Sequence, residues 1–536
     1  MLYTKFVHNF LEDSAERFPE KQAFFANNTW HTYQEINDKA NQLTHLLIES
    51  GIQKGQRVAL LIENSIEYVI TYYAILKTGA ITVALNTDST ARDIKYILDD
   101  CEVSLLVVSQ KLFRNAKVLF DRQKTKDKGQ KIWERNVFVW SGLRQIKSED
   151  SDAEIVLLPA AMEALPVTNS GIRIIDLDVA SIVYTSGSTG KPRGATLTHL
   201  NIVSNTRSIV DYLELTAEDR IMVVLPFYYI YGKSLLNTHF FVGGSVVVDN
   251  HFLYPNVVLK TMQEQKTTGF SGVPSTFTIL LNRSDIRNYK FESLRYVTQA
   301  GGAMAPAVQQ EVADIFSPAR LFIMYGATEA SARLSYLDPN VLPRKWGSIG
   351  KAIPNVELFV SDENGNRLPA GKQGEIVARG SNIMSYYWNH TEETEKVLRN
   401  GLYWTGDLGE MDEEGFIFVV GRKKDMIKVG GNRVSAKEIE EALYEHPEII
   451  EAAVIGVPDD MLGEAVKAII VLRNGRSIRN DELNLFLKNK LAMYKIPKYY
   501  EYHDALPKNK SGKIQKLKLK KSTTPHGYVN RQIKAN

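Results

Sequence analysis

Over its first hundred residues the chain alternates between two periodicities, and this most constrains what it can fold into. Ile36, Ala40, Leu43 and Leu47 recur at helical spacing, and Val58 to Ile62 is an unbroken apolar run of strand length. Ile66 to Leu76 is again helical and stops at Gly79. Ala80 to Leu85 predicts a strand, Thr90-x-x-Asp93 a helix start with the helix running to Asp100, and Val103 to Val108 a further strand. Strands interleaved with helices imply parallel sheets whose faces the helices cover. A chain of 536 residues is too long for one such unit, so more than one domain is expected.

Composition excludes several classes. Lys and Arg total 65 against 62 Asp and Glu, a net charge of +3, which gives no overall footprint for nucleic acid. The single cysteine, Cys101, rules out an internal disulfide and a cysteine-ligated zinc, and its place at the end of a helical pattern reads as a small core residue. The Met1–Lys5 start lacks the apolar stretch of a signal peptide. The run from Phe240 to Val248 is far too short to span a membrane. A cytoplasmic location is the expectation. Two polar stretches, Asp121 to Asn136 and Ser148 to Asp152, read as a surface insertion and a surface break.

The chemistry concentrates in a few short segments. The strand-like run Ala180–Val183 leads into Tyr184-Thr185-Ser186-Gly187-Ser188-Thr189-Gly190-Lys191-Pro192-Arg193-Gly194. Glycines let the backbone approach a ligand, successive N–H groups form an anion-binding concavity, and Lys191 adds a charge suited to phosphate. The segment is not a P-loop: Thr185 stands where the first glycine belongs and Pro192 follows the lysine. Further on, the Ala319–Met324 strand run ends in Tyr325-Gly326-Ala327-Thr328-Glu329, where Glu329 offers a carboxylate to a magnesium ion carried by phosphates. Asp407, in Trp404-Thr405-Gly406-Asp407-Leu408, is an acceptor suited to ribose hydroxyls. Gly421-Arg422-Lys423-Lys424-Asp425 and Leu506-Pro507-Lys508-Asn509-Lys510-Ser511-Gly512-Lys513-Ile514 supply further cations. In the last hundred residues Lys437 to Tyr444 predicts a helix, and Ala452 to Val457 and Ala465 to Leu472 predict strands. A second helix through Leu483, Phe486, Leu487 and Leu491 is expected to be capped by Asn480 or Asp481, and Leu294 to Val297 reads as a strand upstream.

In their order along the chain these segments resemble the adenylate-forming superfamily of acyl-CoA synthetases, peptide-synthetase adenylation domains and firefly luciferase. The resemblance covers the chain to about residue 520 and is closest to AMP-forming acyl-CoA ligases. It implies an α/β fold: a large N-terminal domain, residues 1–423, with helix-covered, mostly parallel sheets, and a small mobile C-terminal α/β domain, residues 424–536. It assigns Lys513 as catalytic lysine, with Thr328 donating to the α-phosphate and Glu329 holding magnesium. The nucleotide would be held by Thr185, Ser186, Gly187, Ser188, Thr189, Gly190 and Lys191, by Gly302 and Ala303, and by Tyr325, Gly326, Asp407 and Arg422. Tyr228, Tyr229, Ser271, Val273, Gly301, Met304 and Ala327 would line the acyl pocket. Tyr229 stands where the family carries a histidine in P-x-x-H-x-x-G. Lys424 would be the hinge, and Lys428, Gly430 and Gly431 would border the thiol tunnel.

The implied activity is ATP- and Mg2+-dependent activation of a carboxylic acid to acyl-AMP with loss of pyrophosphate, then transfer to a thiol. Coenzyme A is the first acceptor, and the phosphopantetheine of an acyl carrier protein is the alternative. From Lys508 to Lys534 there are nine Lys or Arg and no acid, which suits either anionic carrier. An amino-acid substrate is disfavoured because no Asp stands near Tyr228 and Tyr229; the nearest downstream acid is Asp249. The pocket residues suggest a mostly apolar acid, aliphatic or aromatic. A non-catalytic nucleotide-binding protein is the remaining alternative, and His199 is read as structural.

Overall fold

A computed structural model describes residues 6–117, 119, 136–141, 155–185, 192–429, 432–459, 461–473, 476–508 and 514–522. The two polar stretches around 121–136 and 148–152 lie almost wholly outside these residues. Among the described residues the chain builds three sheets.

The first sheet has a parallel centre in the order Gln22–Ala26, Ser245–Val248, Arg220–Val223, Gly269–Gly272, Tyr296–Gln299 and Arg320–Tyr325. The second, of eight strands, is parallel from Val179–Thr185 across to Ile155–Leu158. The helix–strand alternation at the start of the chain foresees this arrangement, and its helices fall where expected, at Tyr33–Glu49, Ile66–Lys77 and Ala91–Asp100. Thr90 and Asp93 form the expected reciprocal cap. The core lies between the two sheets. Every residue from Tyr68 to Lys77 is buried, and a helix apolar on all sides has to be enclosed. The same apolar cluster takes in Val58 and Leu60 of one sheet and Ile221 and Val223 of the other.

Three features depart from the expectations. The stretch from Ser335 to Arg422 extends the first sheet antiparallel, through Ser348–Ala352, Ile417–Arg422, Leu402–Met411 and Gln373–Gly380. The strand expected at Leu294–Val297 is Tyr296–Gln299. The helix expected to be capped by Asn480 or Asp481 begins at Asn480 itself, with Arg479 as its cap and no side-chain hydrogen bond there. Asn480 instead accepts from the Tyr502 hydroxyl, 3.0 Å away, and Asp481 and Glu482 sit in the first turn, where the helix dipole favours them. The third sheet joins Asn432–Val434, Ile427–Val429, Gly463–Leu472, Ile449–Asp459 and Tyr499–Tyr502, packed on the Ala436–Tyr444 and Asn480–Lys488 helices.

Cys101 is fully buried beside the Tyr184 hydroxyl, and burial pushes its thiol up to about 12, so it is a core residue. His199 is likewise structural: its Nδ1 accepts the Val7 N–H at 3.1 Å, which requires a neutral ring. Burial lowers His199 to about 3, and His8 and His239 to about 4, from 6.5. The unfolded chain therefore takes up these protons first as pH falls, and stability present above 6.5 drains away toward pH 4. Urea midpoints are expected to begin falling already near pH 6.5, before carboxylates titrate. A midpoint constant from pH 7 to 5 would contradict this.

Candidate functional site

The candidate residues gather beyond the carboxyl ends of the parallel strands, where open α/β sheets bind ligands. The Arg320–Tyr325 strand turns sharply after Tyr325 into a single helical turn, Thr328–Ala330. Gly326 makes that turn possible: a Cβ there would lie 1.9 Å from the Ala332 carbonyl oxygen. Tyr325 donates its hydroxyl to Asp407 Oδ2 at 2.7 Å, and Arg422 Nε meets Asp407 Oδ1 at 2.9 Å. Asp407 and Arg422 face each other across neighbouring antiparallel strands. Burial, and then the Asp407 charge, push the Tyr325 hydroxyl well above its ordinary range, so it stays a donor. Two residues from separate sequence segments, Tyr325 and Arg422, thus share the carboxylate of a third, Asp407. Glu375, not foreseen, holds the turn before Asp407 by accepting the Gly406 N–H at 3.0 Å.

Glu329 is held by a residue that spacing gave no hint of. Tyr387 donates its hydroxyl to Glu329 Oε1, and the Met384 N–H donates to the Glu329 carbonyl at 2.7 Å. Among the described residues Oε2 has no protein donor. Tyr387 lies on a short strand paired with Arg193–Thr198, the strand that follows residues 186–191, and Arg193 stacks 5.0 Å over its ring while pairing with Glu393. Ser186, Gly187, Ser188, Thr189, Gly190 and Lys191 lie outside the described residues. The loop's two ends are nonetheless neighbours, because Thr185 pairs with Arg193 and Tyr184 with Gly194 in one hairpin. Glu329 is therefore tied through Tyr387 to the strand that leaves this loop. Tyr387→Phe keeps the ring but removes the donor. A hydrogen bond to a charged group is worth about 1.5–3 kcal/mol, so with Glu329 as the magnesium carboxylate that the resemblance implies, the KM for MgATP is expected to rise roughly 10-fold or more while the melting temperature moves little; an unchanged KM would remove Tyr387 from the account.

The acyl-side candidates form a second group. Tyr228, Ser271, Val273 and Met304 are buried, Tyr229 and Ala327 are half-buried, and Gly301, Gly302 and Ala303 are exposed. Gly301, at φ +83°, lays its turn against Val273, and a Cβ would come 3.1 Å from Val273 Cγ1. Gln299 steadies that turn through the Gly302 carbonyl at 2.8 Å. Tyr229 is the N-terminal boundary residue of the Ile230–Val242 helix, its ring 4.6 Å from that of Tyr228. Asn64 clasps the preceding turn, donating to the Leu225 carbonyl and accepting the Phe227 N–H.

In the C-terminal part, Lys424 sits in the turn between Ile417–Arg422 and Ile427–Val429, and burial lowers its ammonium. Lys428 is exposed, its N–H on Glu464 at 2.8 Å. Gly430, Gly431 and Lys513 lie outside the described residues. Their flanks are closed: Val429 pairs with Asn432, and Lys508 bridges to Ile514. Thr328 opens the helical turn beside Glu329.

This arrangement ties two carboxylates, Asp407 through Tyr325 and Glu329 through its own turn, to the segment around Gly326. The AMP-binding enzyme family matches residues 11–388, and the AMP-binding enzyme C-terminal domain matches residues 438–513. A long-chain-fatty-acid–CoA ligase of Bacillus subtilis (strain 168) is 34% identical, over 98% of this chain and 96% of that ligase. A feruloyl-CoA synthase of Amycolatopsis sp. is 31% identical, over 95% and 97%. The crystal structure of the anthranilate CoA ligase AuaEII in complex with anthranoyl-AMP superposes with a TM-score of 0.87 at 27% identity, over 97% of each chain. The o-succinylbenzoate CoA synthetase of Bacillus subtilis, in complex with its acyl-adenylate, gives 0.82 at 27%, over 97% and 99%. The chain belongs to the AMP-binding enzyme family.

Proposed function

We propose that this protein is an AMP-forming acyl-CoA ligase. The observation that carries the reading is the convergence of Tyr325, Asp407 and Arg422 on one side of the Gly326 turn with Glu329 on the other, in a chain that matches CoA ligases along nearly its whole length. In the first half-reaction a carboxylate oxygen of the acid bonds to the α-phosphorus of ATP. The bond from that phosphorus to the bridging oxygen breaks and pyrophosphate leaves. In the second, the sulfur of the thiol bonds to the acyl carbon, AMP leaves with the C–O electron pair, and the thiol proton goes to solvent.

The barrier is largely electrostatic. Two unit charges of like sign repel by about 4 kcal/mol at 4 Å and an effective dielectric of 20, so the chain's task is fixed positive potential. Lys513 supplies it from the C-terminal segment, and Lys191 with the loop amides supplies it from the strand hairpin. Asp407 takes the ribose hydroxyls, with Arg422 and Tyr325 keeping its carboxylate in place. Thr328 donates to the α-phosphate. Glu329 fits magnesium, since one carboxylate with an uncommitted oxygen beside phosphates is what that ion accepts; when bound, the ion neutralises phosphate charge.

This reading divides the chain into residues 1–423 and 424–536, with Lys424 as the point about which the smaller part turns between half-reactions, exchanging Lys513 for the Gly430–Gly431 edge. It gives the Tyr228, Tyr229, Ser271, Val273, Gly301, Met304 and Ala327 group to the acyl chain, and the cytoplasm as location. No helix among the described residues is long and apolar enough to cross a membrane. Coenzyme A is the acceptor, in keeping with the ligase relatives. Incubation with a free carboxylic acid that the protein accepts, MgATP and CoA is expected to yield acyl-CoA and AMP in equal amounts. AMP formation that depends on a phosphopantetheinylated carrier and ignores CoA would replace the acceptor.

A further inference from the structure

Arg333 is 2% exposed and, among the described residues, no carboxylate lies within ion-pair distance of it. Its guanidinium stacks 4.2 Å over the Tyr231 ring, its Nε meets Met324 Sδ at 3.2 Å and its Nη1 the Ala332 carbonyl at 3.2 Å, and the neutral Tyr212 hydroxyl stands beside it. A thioether is a weak acceptor. A buried charge with such partners is costly, and proteins retain one where something else neutralises it.

Its surroundings belong to the acyl side of the site. Ser271 Oγ lies 2.6 Å from Thr298 Oγ1, which lies 2.9 Å from the Tyr231 hydroxyl, and Arg333 covers the same Tyr231 ring. Strand register puts these side chains on one face. Ser271 pairs with Thr298 and Thr298 with Phe322, and Met324 is two residues beyond, at the carboxyl ends of three adjacent parallel strands. Tyr231 comes from the first turn of the helix that begins after Tyr228 and Tyr229. Three hydroxyls and a cation on this wall are not needed by a hydrocarbon chain.

We propose that Arg333 is a specificity-determining residue, and that the acid this ligase activates carries a second carboxylate, which Arg333 receives beside the Ser271–Thr298–Tyr231 hydroxyls. The inference rests on the acyl-CoA ligase reading and adds a charged distal end to an otherwise apolar acid. The guanidinium would then be paired in the complex, which is how buried cations gain discrimination between partners.

The test is AMP formation by the full chain with chain-length-matched series of monocarboxylic acids, α,ω-dicarboxylic acids and ω-hydroxy acids, from four to twelve carbons. For wild type, kcat/KM for the best dicarboxylate is expected to exceed that for its matched monocarboxylate by about 100-fold or more, the range seen when a buried charge loses its partner. Arg333→Met is expected to erase that ratio through KM for the diacid, and Arg333→Lys to restore part of it. A wild-type preference for monocarboxylates or for ω-hydroxy acids would overturn the proposal and leave the ligase reading standing, as would an unchanged ratio in a folded Arg333→Met protein. The wild-type series decides the matter by itself if that variant does not fold. No AMP formation with any acid of these series would overturn the proposal, and the ligase reading falls with it only if aromatic and longer-chain acids are inactive as well.

Discussion

Gly326→Ala is expected to leave a folded but almost inactive protein. The added Cβ would sit 1.9 Å from the Ala332 oxygen, 2.7 Å from its carbonyl carbon and 2.9 Å from Arg333 Cα. All three are backbone atoms, so no side-chain rotation relieves the clash. The turn has no slack either: Leu334 N–H donates to the Tyr325 carbonyl at 2.9 Å, Ala332 N–H to the Ala327 carbonyl at 3.3 Å, and Ser331 and Ala332 already hold positive φ. Overpacking of this kind costs about 1–3 kcal/mol, which a protein of this size survives. What moves is the segment carrying Tyr325, Thr328 and Glu329. A displacement of about 1 Å in such groups lowers rates roughly 100-fold, and here three of them shift together. Acid-dependent AMP formation should fall by at least that factor while the far-UV spectrum is retained. Activity within a few-fold of wild type would show that the Thr328–Glu329 turn is not where the phosphates meet the chain.

Asp407→Ala is the second large effect, and its pairing with Asp407→Asn separates two roles. Alanine removes the carboxylate that both Tyr325 and Arg422 contact. Loss of one partner from a buried pair costs about 3–5 kcal/mol. Arg422 keeps 42% of its side chain in solvent, however, so the stability cost falls to the low end or below. The functional cost is not discounted in this way, because Asp407 is the ribose acceptor in the proposed function: the KM for ATP is expected to rise by roughly 100-fold or more, in the range for a charged hydrogen-bond partner removed from a binding site. Asparagine preserves the shape and an acceptor for the Tyr325 hydroxyl. It should therefore recover most of the stability and little of the ATP affinity. Equal recovery of both would make Asp407 a structural residue only.

Local signals in this chain were legible, and pairings across long separations were not. The Ile66–Lys77 helix, the Thr90–Asp93 cap and the individual early strands follow from spacing because each is settled within a dozen residues. Asp407, Arg422 and Tyr325 stood out as separate motifs, yet nothing in their spacing says that the Asp407 carboxylate serves both of the others; strand register and the Tyr325 hydrogen bond do that. Tyr387 and Arg193 were invisible as partners of Glu329 and Glu393, since the contacts close over 58 and 200 residues. Arg333, four residues past Glu329, drew no attention in the sequence, and its burial under Tyr231 emerges only from the packing. The antiparallel extension from Ser335 to Arg422 escaped because the early helix–strand rhythm stops there while the sheet continues. At Asn480 the local capping preference lost to a tertiary bond from Tyr502.

The account's central claim is that this chain forms acyl-adenylates, and acid-dependent exchange of labelled pyrophosphate into ATP tests it most directly. The assay should cover aliphatic, aromatic, dicarboxylic and amino acids, with Lys513→Ala as the control. Exchange with one class of acid, without any thiol present and lost in the Lys513→Ala protein, is the predicted result. Absence of exchange with every acid, in protein that still binds ATP, would contradict adenylation and leave a nucleotide-binding protein in its place.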